Sequence, residues 1–159
     1  MVYCFQFHTL PPYLTNKIAY YIFYYPCSTK PAIVKYPTLL DLPAPTLKGY
    51  TPHTSIAEKF ESIIRLGFAN TRMKDFYDIW LLIQQFDFER DELKLIIQQI
   101  IKNRGTIVKS SPIAFEEAFY NHSLKQDQWK AFLRDISHKV IPLEQVILDL
   151  RNFFSDLIF

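Results

Sequence analysis

Residues 72–86 read RMKDFYDIWLLIQQF, and this stretch decides how the chain folds. Its apolar side chains recur at intervals of three and four residues, which is the spacing of one face of an α-helix. That face comprises Ile79, Leu82, Ile83 and Phe86. Extending the face towards the start of the stretch places Asp75 at its centre and Asp78 at its edge. The pattern predicts a helix from about residue 70 to residue 86 with two carboxylates on its packing side.

A second helix is predicted immediately before this one. Ser55 and Glu58 fit the capping box S-x-x-E, which satisfies free backbone N–H groups at a helix start, and Gly67 is a typical helix end. The buried stripe comprises Ile56, Phe60, Ile63, Ile64 and Leu66. Glu58 and Glu61 are predicted to face away from this stripe, whereas Lys59 falls inside it. The pattern therefore points a lysine towards the neighbouring helix.

Helical signals continue to the end of the chain. They predict four further helices. Gly105 ends the first of them, Ser111 and Pro112 begin the second, Ser123 caps the third and Pro142 opens the last. The predicted fold class is mainly α: a helical bundle with an irregular or short β-containing N-terminal segment. The helical domain is assigned to residues 55–159.

The beginning of the chain differs from the rest in composition. All 16 acidic residues lie at or after Asp41. Residues 1–35 show neither regular alternation nor a helical stripe, and we interpret them as an atypical N-terminal segment with remnant strands. Residues 36–54 are predicted to be an extended, proline-rich connector, because prolines and a glycine exclude a long helix there.

The inward lysine and the two aspartates form the candidate site. Asp75 and Asp78 share a helix face, where two like charges repel each other and are costly to bury. Lys59 is the cation predicted to lie beside them. One interpretation is a structural ion-pair cluster in which Arg72 and Lys74 also pair locally with the aspartates. The other is a cleft for an anionic substrate, in which the lysine neutralises phosphate and an aspartate orients it or contacts the base or ribose.

Several stretches resemble one protein family in the expected order. They are residues 36–45 (YPTLLDLPAP), 56–62 (IAEKFES), 65–79 (RLGFANTRMKDFYDI), 103–106 (NRGT) and 128–133 (QWKAFL). Together they resemble the AbiEii/AbiGii toxins over about residues 33–135. Those toxins are nucleotidyltransferase-fold proteins of type IV toxin–antitoxin and phage abortive-infection systems.

The resemblance implies an activity and a set of site residues. It implies transfer of a nucleoside monophosphate from a nucleoside triphosphate (NTP), with Mg²⁺, to an RNA acceptor that for relatives is a tRNA end. An antitoxin protein is the implied partner. By this resemblance Lys59, Asp75 and Asp78 are candidate catalytic residues, Arg72 and Lys74 are candidate substrate-binding residues, and no residue is assigned to a metal.

The sequence also departs from the pattern of that family. The catalytic half of the family carries a Gly-Ser turn that cradles phosphates and, about ten residues later, an Asp-x-Asp or Asp-x-Glu pair that holds two metal ions. Here glycine occurs only at positions 49, 67 and 105, none is followed by serine, and the sole Asp-x-Glu spans residues 87–89. We therefore expect a truncated toxin that is inactive alone and has no cofactor of its own, and whose helical part helps to bind nucleotide or the RNA acceptor. Residues 1–30 are expected to be unrelated to the family.

An alternative function is a non-catalytic helical module that binds an antitoxin or another partner protein. Composition and residue spacing argue against three other classes of function. The net charge of +2 argues against nonspecific DNA binding, the four histidines lack zinc-ligand spacing, and no apolar run is long enough to span a membrane. Two cysteines cannot form a disulfide scaffold, so a cytoplasmic location is predicted.

Overall fold

A computed structural model of the chain describes residues 32–35, 43, 46–136 and 141–158. The chain divides into two compact units, Met1–Pro52 and His53–Phe159. In the first unit, strands β1 (Ala32–Lys35) and β2 (Thr46–Gly49) form an antiparallel pair in which Ala32 lies opposite Gly49. The stretch predicted to be an extended connector thus contributes a paired strand. The remnant strands predicted within residues 1–30 lie outside the described residues.

Helix α1 (Pro52–Leu66) begins three residues before the predicted start. Proline is well suited to the first turn, because its fixed φ is helical and its missing N–H would have no partner there. Ser55 is consequently a buried residue inside the helix, and the predicted capping box is wrong. The predicted end is confirmed, since Gly67 follows Leu66 with a φ of 52° and opens a 3₁₀ turn over Gly67–Ala69.

Helices α2 (Met73–Gln85) and α3 (Arg90–Arg104) lie close to their predicted positions. Gly105 ends α3 with a φ of 63°, and its N–H donates to the carbonyl of Lys102. The N–H of Thr106 donates to the carbonyl of Ile101. These two hydrogen bonds are those of a Schellman motif, which glycine favours because it tolerates positive φ.

The remaining helices complete the second unit. The short helix predicted after Pro112 is divided into a 3₁₀ turn (Ile113–Phe115) and helix α4 (Glu117–Tyr120). Helix α5 spans Ser123–Ile136 and helix α6 spans Leu143–Ile158. Among the described residues, no helix combines the length and apolarity needed to cross a membrane.

The core of the second unit is apolar and rich in aromatic side chains. Helix α6 packs against α2, α3, α4 and the 3₁₀ turn before α4. Phe60 of α1 meets Phe154 of α6 with ring centroids 4.2 Å apart, and both side chains are fully buried. Aromatic pairs at such distances add to the free energy gained by burial. The predicted mainly α bundle with a short β-containing N-terminal segment is confirmed.

Candidate functional site

The predicted contact between the inward lysine and both aspartates is confirmed. Lys59 Nζ lies 3.1 Å from Asp75 Oδ1 and 2.8 Å from Asp78 Oδ2. The three side chains are mostly buried, with exposed fractions of 19%, 13% and 14%. Helix α1 supplies the lysine and the first two turns of α2 supply the aspartates. A single cation therefore joins two neighbouring helices.

The two predicted substrate-binding residues occupy different positions. Lys74 Nζ lies 2.6 Å from Asp78 Oδ2, across one helical turn. Arg72 is exposed, and its side chain forms no ion pair with any residue that the structure describes, so its predicted pairing with Asp75 is not formed. We call Lys59, Lys74, Asp75 and Asp78 the lysine–aspartate cluster. Arg72 lies at its edge in sequence but outside its network of contacts.

The charges of the cluster fix the protonation state of its central lysine. Burial alone would lower the pKa of Lys59, but the carboxylates of Asp78 and Asp75 outweigh burial and raise that pKa above its usual value. Lys59 therefore remains an ammonium group at neutral pH and cannot accept a proton as a general base. Its role in any chemistry is electrostatic.

Each aspartate uses only one carboxylate oxygen within the cluster. Asp75 Oδ1 accepts from Lys59, and Asp78 Oδ2 is shared by Lys59 and Lys74. The second oxygen of each carboxylate has no hydrogen-bond partner among the described residues, and neither belongs to the buried polar atoms left without a partner. Both side chains are partly exposed, so these oxygens remain as acceptors for a ligand or for water.

A second ionic group lies on α1 next to this cluster in sequence. Glu61 is fully buried and accepts hydrogen bonds from Arg104 Nη1 at 2.5 Å, Thr106 Oγ1 at 2.5 Å and Arg65 Nε at 3.1 Å. Arg104 also pairs with Glu58 through Nη2. We call these five residues the arginine–glutamate network. The prediction that Glu58 and Glu61 face away from the packing side is wrong.

The sequence pattern does not predict the arginine–glutamate network, because its central cation, Arg104, is distant in sequence from the glutamates. Arg104 follows Glu61 by 43 residues and reaches α1 from the end of α3. Residues 103–106 were singled out by their resemblance to a family, but neither spacing nor periodicity connects them with Glu61. Burial raises the pKa of Glu58, an effect that Arg104 opposes and Glu61 reinforces.

The donor set of the lysine–aspartate cluster does not fit the Mg²⁺ that the resemblance implies. A magnesium ion needs carboxylate oxygens whose negative charge is available. Here both aspartates already hold ammonium groups at 2.6–3.1 Å. Throughout the described part of the chain, no three histidine, cysteine, aspartate or glutamate side chains are grouped so that they could hold a metal. We therefore derive no step through a metal ion at this cluster.

Comparison with known families defines the class of the protein. Residues 6–150 match the family model described as nucleotidyl transferase AbiEii toxin, type IV TA (toxin–antitoxin) system. The chain belongs to this family, which suggests an antitoxin as its partner. The match begins at residue 6, so the expectation that residues 1–30 are unrelated to the family is wrong for residues 6–30. Neither a search of curated proteins nor a search of solved structures found a match.

Proposed function

We propose that the lysine–aspartate cluster is the part of a toxin's site that binds nucleotide or the end of an RNA acceptor. In this proposal the chain does not transfer a nucleotide by itself. It acts in the cytoplasm, beside an antitoxin, in a type IV toxin–antitoxin or abortive-infection system that defends against phage. The observation that carries the proposal is the pair of aspartate oxygens that have no hydrogen-bond partner among the described residues and lie beside the Lys59 ammonium group.

Those two oxygens suit the hydroxyl and amino groups of a nucleotide. Ribose hydroxyls and exocyclic amines donate hydrogen bonds, and partly buried carboxylates accept them strongly. Lys59 lies within 3.1 Å of both carboxylates and offsets the repulsion between their charges. In this arrangement Lys59 orients the aspartates and the aspartates contact base or ribose.

Phosphate binding requires a different group, because the cluster carries no net formal charge. Its two lysines and two aspartates cancel. Arg72 has a guanidinium group that is exposed and forms no ion pair among the described residues, so it is the group best suited to a phosphate. Lys74 contributes by shifting from Asp78 to the ligand.

Catalysis by this chain alone is not expected, because the residues that perform the reaction in the family are missing from its sequence. It contains no Gly-Ser dipeptide and no Asp-x-Asp. Phosphoryl-group transfer depends on positioning and charge neutralisation by such elements. The lysine–aspartate cluster supplies neither a phosphate cradle nor a free pair of carboxylates.

Titration calorimetry with each of the four NTPs and with a total tRNA preparation tests the binding part of the proposal. We expect saturable binding that weakens at least about tenfold in Asp75→Asn and Asp78→Asn, since each loses a charged acceptor. Arg72→Met is expected to weaken binding without affecting folding, because that side chain is exposed. Lys130→Met, exposed on α5, is the matched control. Absence of saturable binding to any nucleotide or RNA contradicts the proposal and favours the alternative, a module that binds an antitoxin or another protein.

The catalytic part of the proposal requires a separate measurement. Purified chain is incubated with radiolabelled NTPs, Mg²⁺ and total tRNA, and the RNA is separated on a gel. No label is expected on the RNA. Reproducible transfer of label that is lost in Asp75→Asn would show that this chain is a complete enzyme.

A further inference from the structure

Lys125 is a buried lysine with no acidic partner among the residues that the structure describes. Its side chain, on α5, is only 1% exposed, and the groups within its reach include no carboxylate among the described residues. Nζ lies 5.0 Å from the ring centroids of both Phe68 and Phe119. Burial lowers the pKa of this amine. An apolar side chain of similar length would fill the same space without this desolvation cost. What lysine offers at this position, and an apolar residue does not, is the set of polar contacts made by Nζ.

The main polar contact of Lys125 is with the bend that joins α1 to α2. Nζ donates to the backbone carbonyl of Asn70 at 2.8 Å and lies 3.4 Å from Gln128 Oε1. Asn70 is fully buried and has an extended backbone with a ψ of 118°. Its carbonyl lies outside both helices, and Lys125 is its only hydrogen-bond donor among the described residues. A buried carbonyl without a donor is costly, so Lys125 stabilises this backbone conformation.

Asn70 in turn organises the rest of the bend. Its N–H donates to the carbonyl of Gly67 at 3.1 Å, and its Oδ1 accepts the N–H of Arg72 at 2.8 Å. Gly67 is constrained as well, because a Cβ at that position would lie 3.2 Å from the side chain of Ile113. These contacts constrain the bend, although Nδ2 of Asn70 is buried without a hydrogen-bond partner among the described residues, and Lys125 supplies the contact from α5.

The bend lies between the two halves of the lysine–aspartate cluster along the chain, with Lys59 on α1 before it and both aspartates on α2 after it. Lys59 precedes the end of α1 by seven residues. At a rise of about 1.5 Å per residue, Lys59 lies about 10 Å along α1 from the bend. A rotation of α1 by about 10° at the bend therefore displaces Lys59 by about 2 Å. A displacement of that size away from α2 would lengthen the ion pairs of 2.8 and 3.1 Å beyond the roughly 4 Å limit of an ion pair.

We propose that Lys125 is a positioning residue, which holds the α1–α2 bend through the carbonyl of Asn70 and thereby sets the contact of Lys59 with Asp75 and Asp78. The importance of this role for the protein rests on the proposed function of the cluster. The structural part does not, because it concerns only the geometry of the two helices.

The test compares Lys125→Met with wild type in the full chain, without nucleotide. Brief treatment with acetic anhydride is followed by mass spectrometry, with Lys130 as the internal standard for an exposed lysine. Hydrogen exchange of residues 67–78 is measured in parallel. In Lys125→Met we expect acetylation of Lys59 to accelerate at least about fivefold, together with faster exchange in the bend. Opening the bend separates Lys59 from the carboxylates that raise its pKa, so more of the neutral amine, the form that acetic anhydride acylates, becomes accessible.

A control of matched stability separates positioning from general destabilisation. Leu133→Ala removes a buried side chain on the same helix α5 and leaves Lys125 in place. Both variants are compared at temperatures equally far below their own unfolding midpoints. We expect Leu133→Ala to change Lys59 acetylation less than about twofold. Equal acceleration in both variants, or unchanged Lys59 acetylation in Lys125→Met, would overturn the proposal.

Two further results complete the design. Lys125→Gln, whose side-chain nitrogen is one bond closer to the backbone than that of lysine, replaces Lys125→Met if the latter does not fold, with the same expected outcome. If wild type binds neither nucleotide nor RNA while Lys125→Met still accelerates Lys59 acetylation, the proposed function fails and the positioning role stands.

Discussion

Two ionic groups start from neighbouring residues of α1, yet they differ in how completely their charges are satisfied. In the arginine–glutamate network, Glu61 is fully buried and both of its carboxylate oxygens receive hydrogen bonds. In the lysine–aspartate cluster, Asp75 and Asp78 are partly exposed, and in the described part of the chain one oxygen of each has no hydrogen-bond partner. Adjacent positions in one helix thus lead to a carboxylate that is fully hydrogen-bonded, Glu61, and to a lysine whose two aspartates are not. Saturation is specific to Glu61, because Oε1 of Glu58 in the same network is buried without a hydrogen-bond partner among the described residues.

This difference separates a stabilising role from a binding role. A buried carboxylate such as that of Glu61, both of whose oxygens receive hydrogen bonds, contributes to the packing of the helices and has no capacity left for a ligand. A partly exposed pair with free acceptors contributes less to stability and retains the capacity to bind. Substitutions in the arginine–glutamate network are therefore expected to affect mainly stability, whereas substitutions in the lysine–aspartate cluster are expected to affect mainly ligand binding.

The largest effect on stability is expected for Arg104→Met. The substitution leaves Glu61 buried and Glu58 without its cation, and removing one partner of a buried ion pair costs about 3–5 kcal/mol. The free energy of unfolding, measured by urea denaturation, is expected to fall by that amount. Lys102→Met, exposed on the same helix, is the control and is expected to change the free energy by no more than about 0.5 kcal/mol. Equal values for the two variants would mean that the network does not stabilise the fold.

A smaller loss is expected for Lys59→Met, about 1–3 kcal/mol, because the two aspartates lose their shared cation but remain partly solvated. The repulsion between the aspartates is the physical cause, so neutralising them should remove it. In the Asp75→Asn/Asp78→Asn background the same lysine substitution is expected to cost less than about 1 kcal/mol. Additive effects would show that the lysine does not act through the aspartates.

The next effect concerns the pH dependence of stability and isolates Glu58. Because burial raises its pKa in the folded state, the folded protein binds this proton more tightly than the unfolded chain does. The resulting stability is fully present below the unfolded pKa of about 4.5 and is lost as pH rises through the folded pKa. Relative to wild type, Glu58→Gln is therefore expected to become more stable as pH rises through this window. Urea denaturation of both proteins from pH 4 upwards measures the difference, and a constant difference would contradict the raised pKa.

The smallest effect is expected for Lys74→Met. Asp78 keeps its contact with Lys59, so its charge stays paired, and the loss of this partly buried pair across one helical turn is expected to cost less than about 1 kcal/mol. Nucleotide binding is nevertheless expected to weaken severalfold, because Lys74 is one of the cations assigned to the ligand. A loss of stability as large as that of Arg104→Met would place Lys74 among the structural residues instead.

The candidate cluster was predictable from sequence because its determinants are local. Helical periodicity alone indicated that Lys59 points inward and that Asp75 and Asp78 share the packing face. Two like charges on such a face require a cation, and the preceding helix offered one. The start of α1 was mispredicted for an equally local reason, since a favourable proline at Pro52 preceded the capping residues at 55 and 58.

The sequence by itself determined where most helices lie, where glycines end them and which side of α1 carries Lys59, because these features depend on residues within about one or two turns. Only the tertiary structure decided which polar residues are buried. Glu61 finds its cation 43 residues away, and Lys125 finds its acceptor 55 residues away at Asn70. A charged side chain is buried only where folding brings it a partner, and periodicity within one helix carries no record of a partner on another.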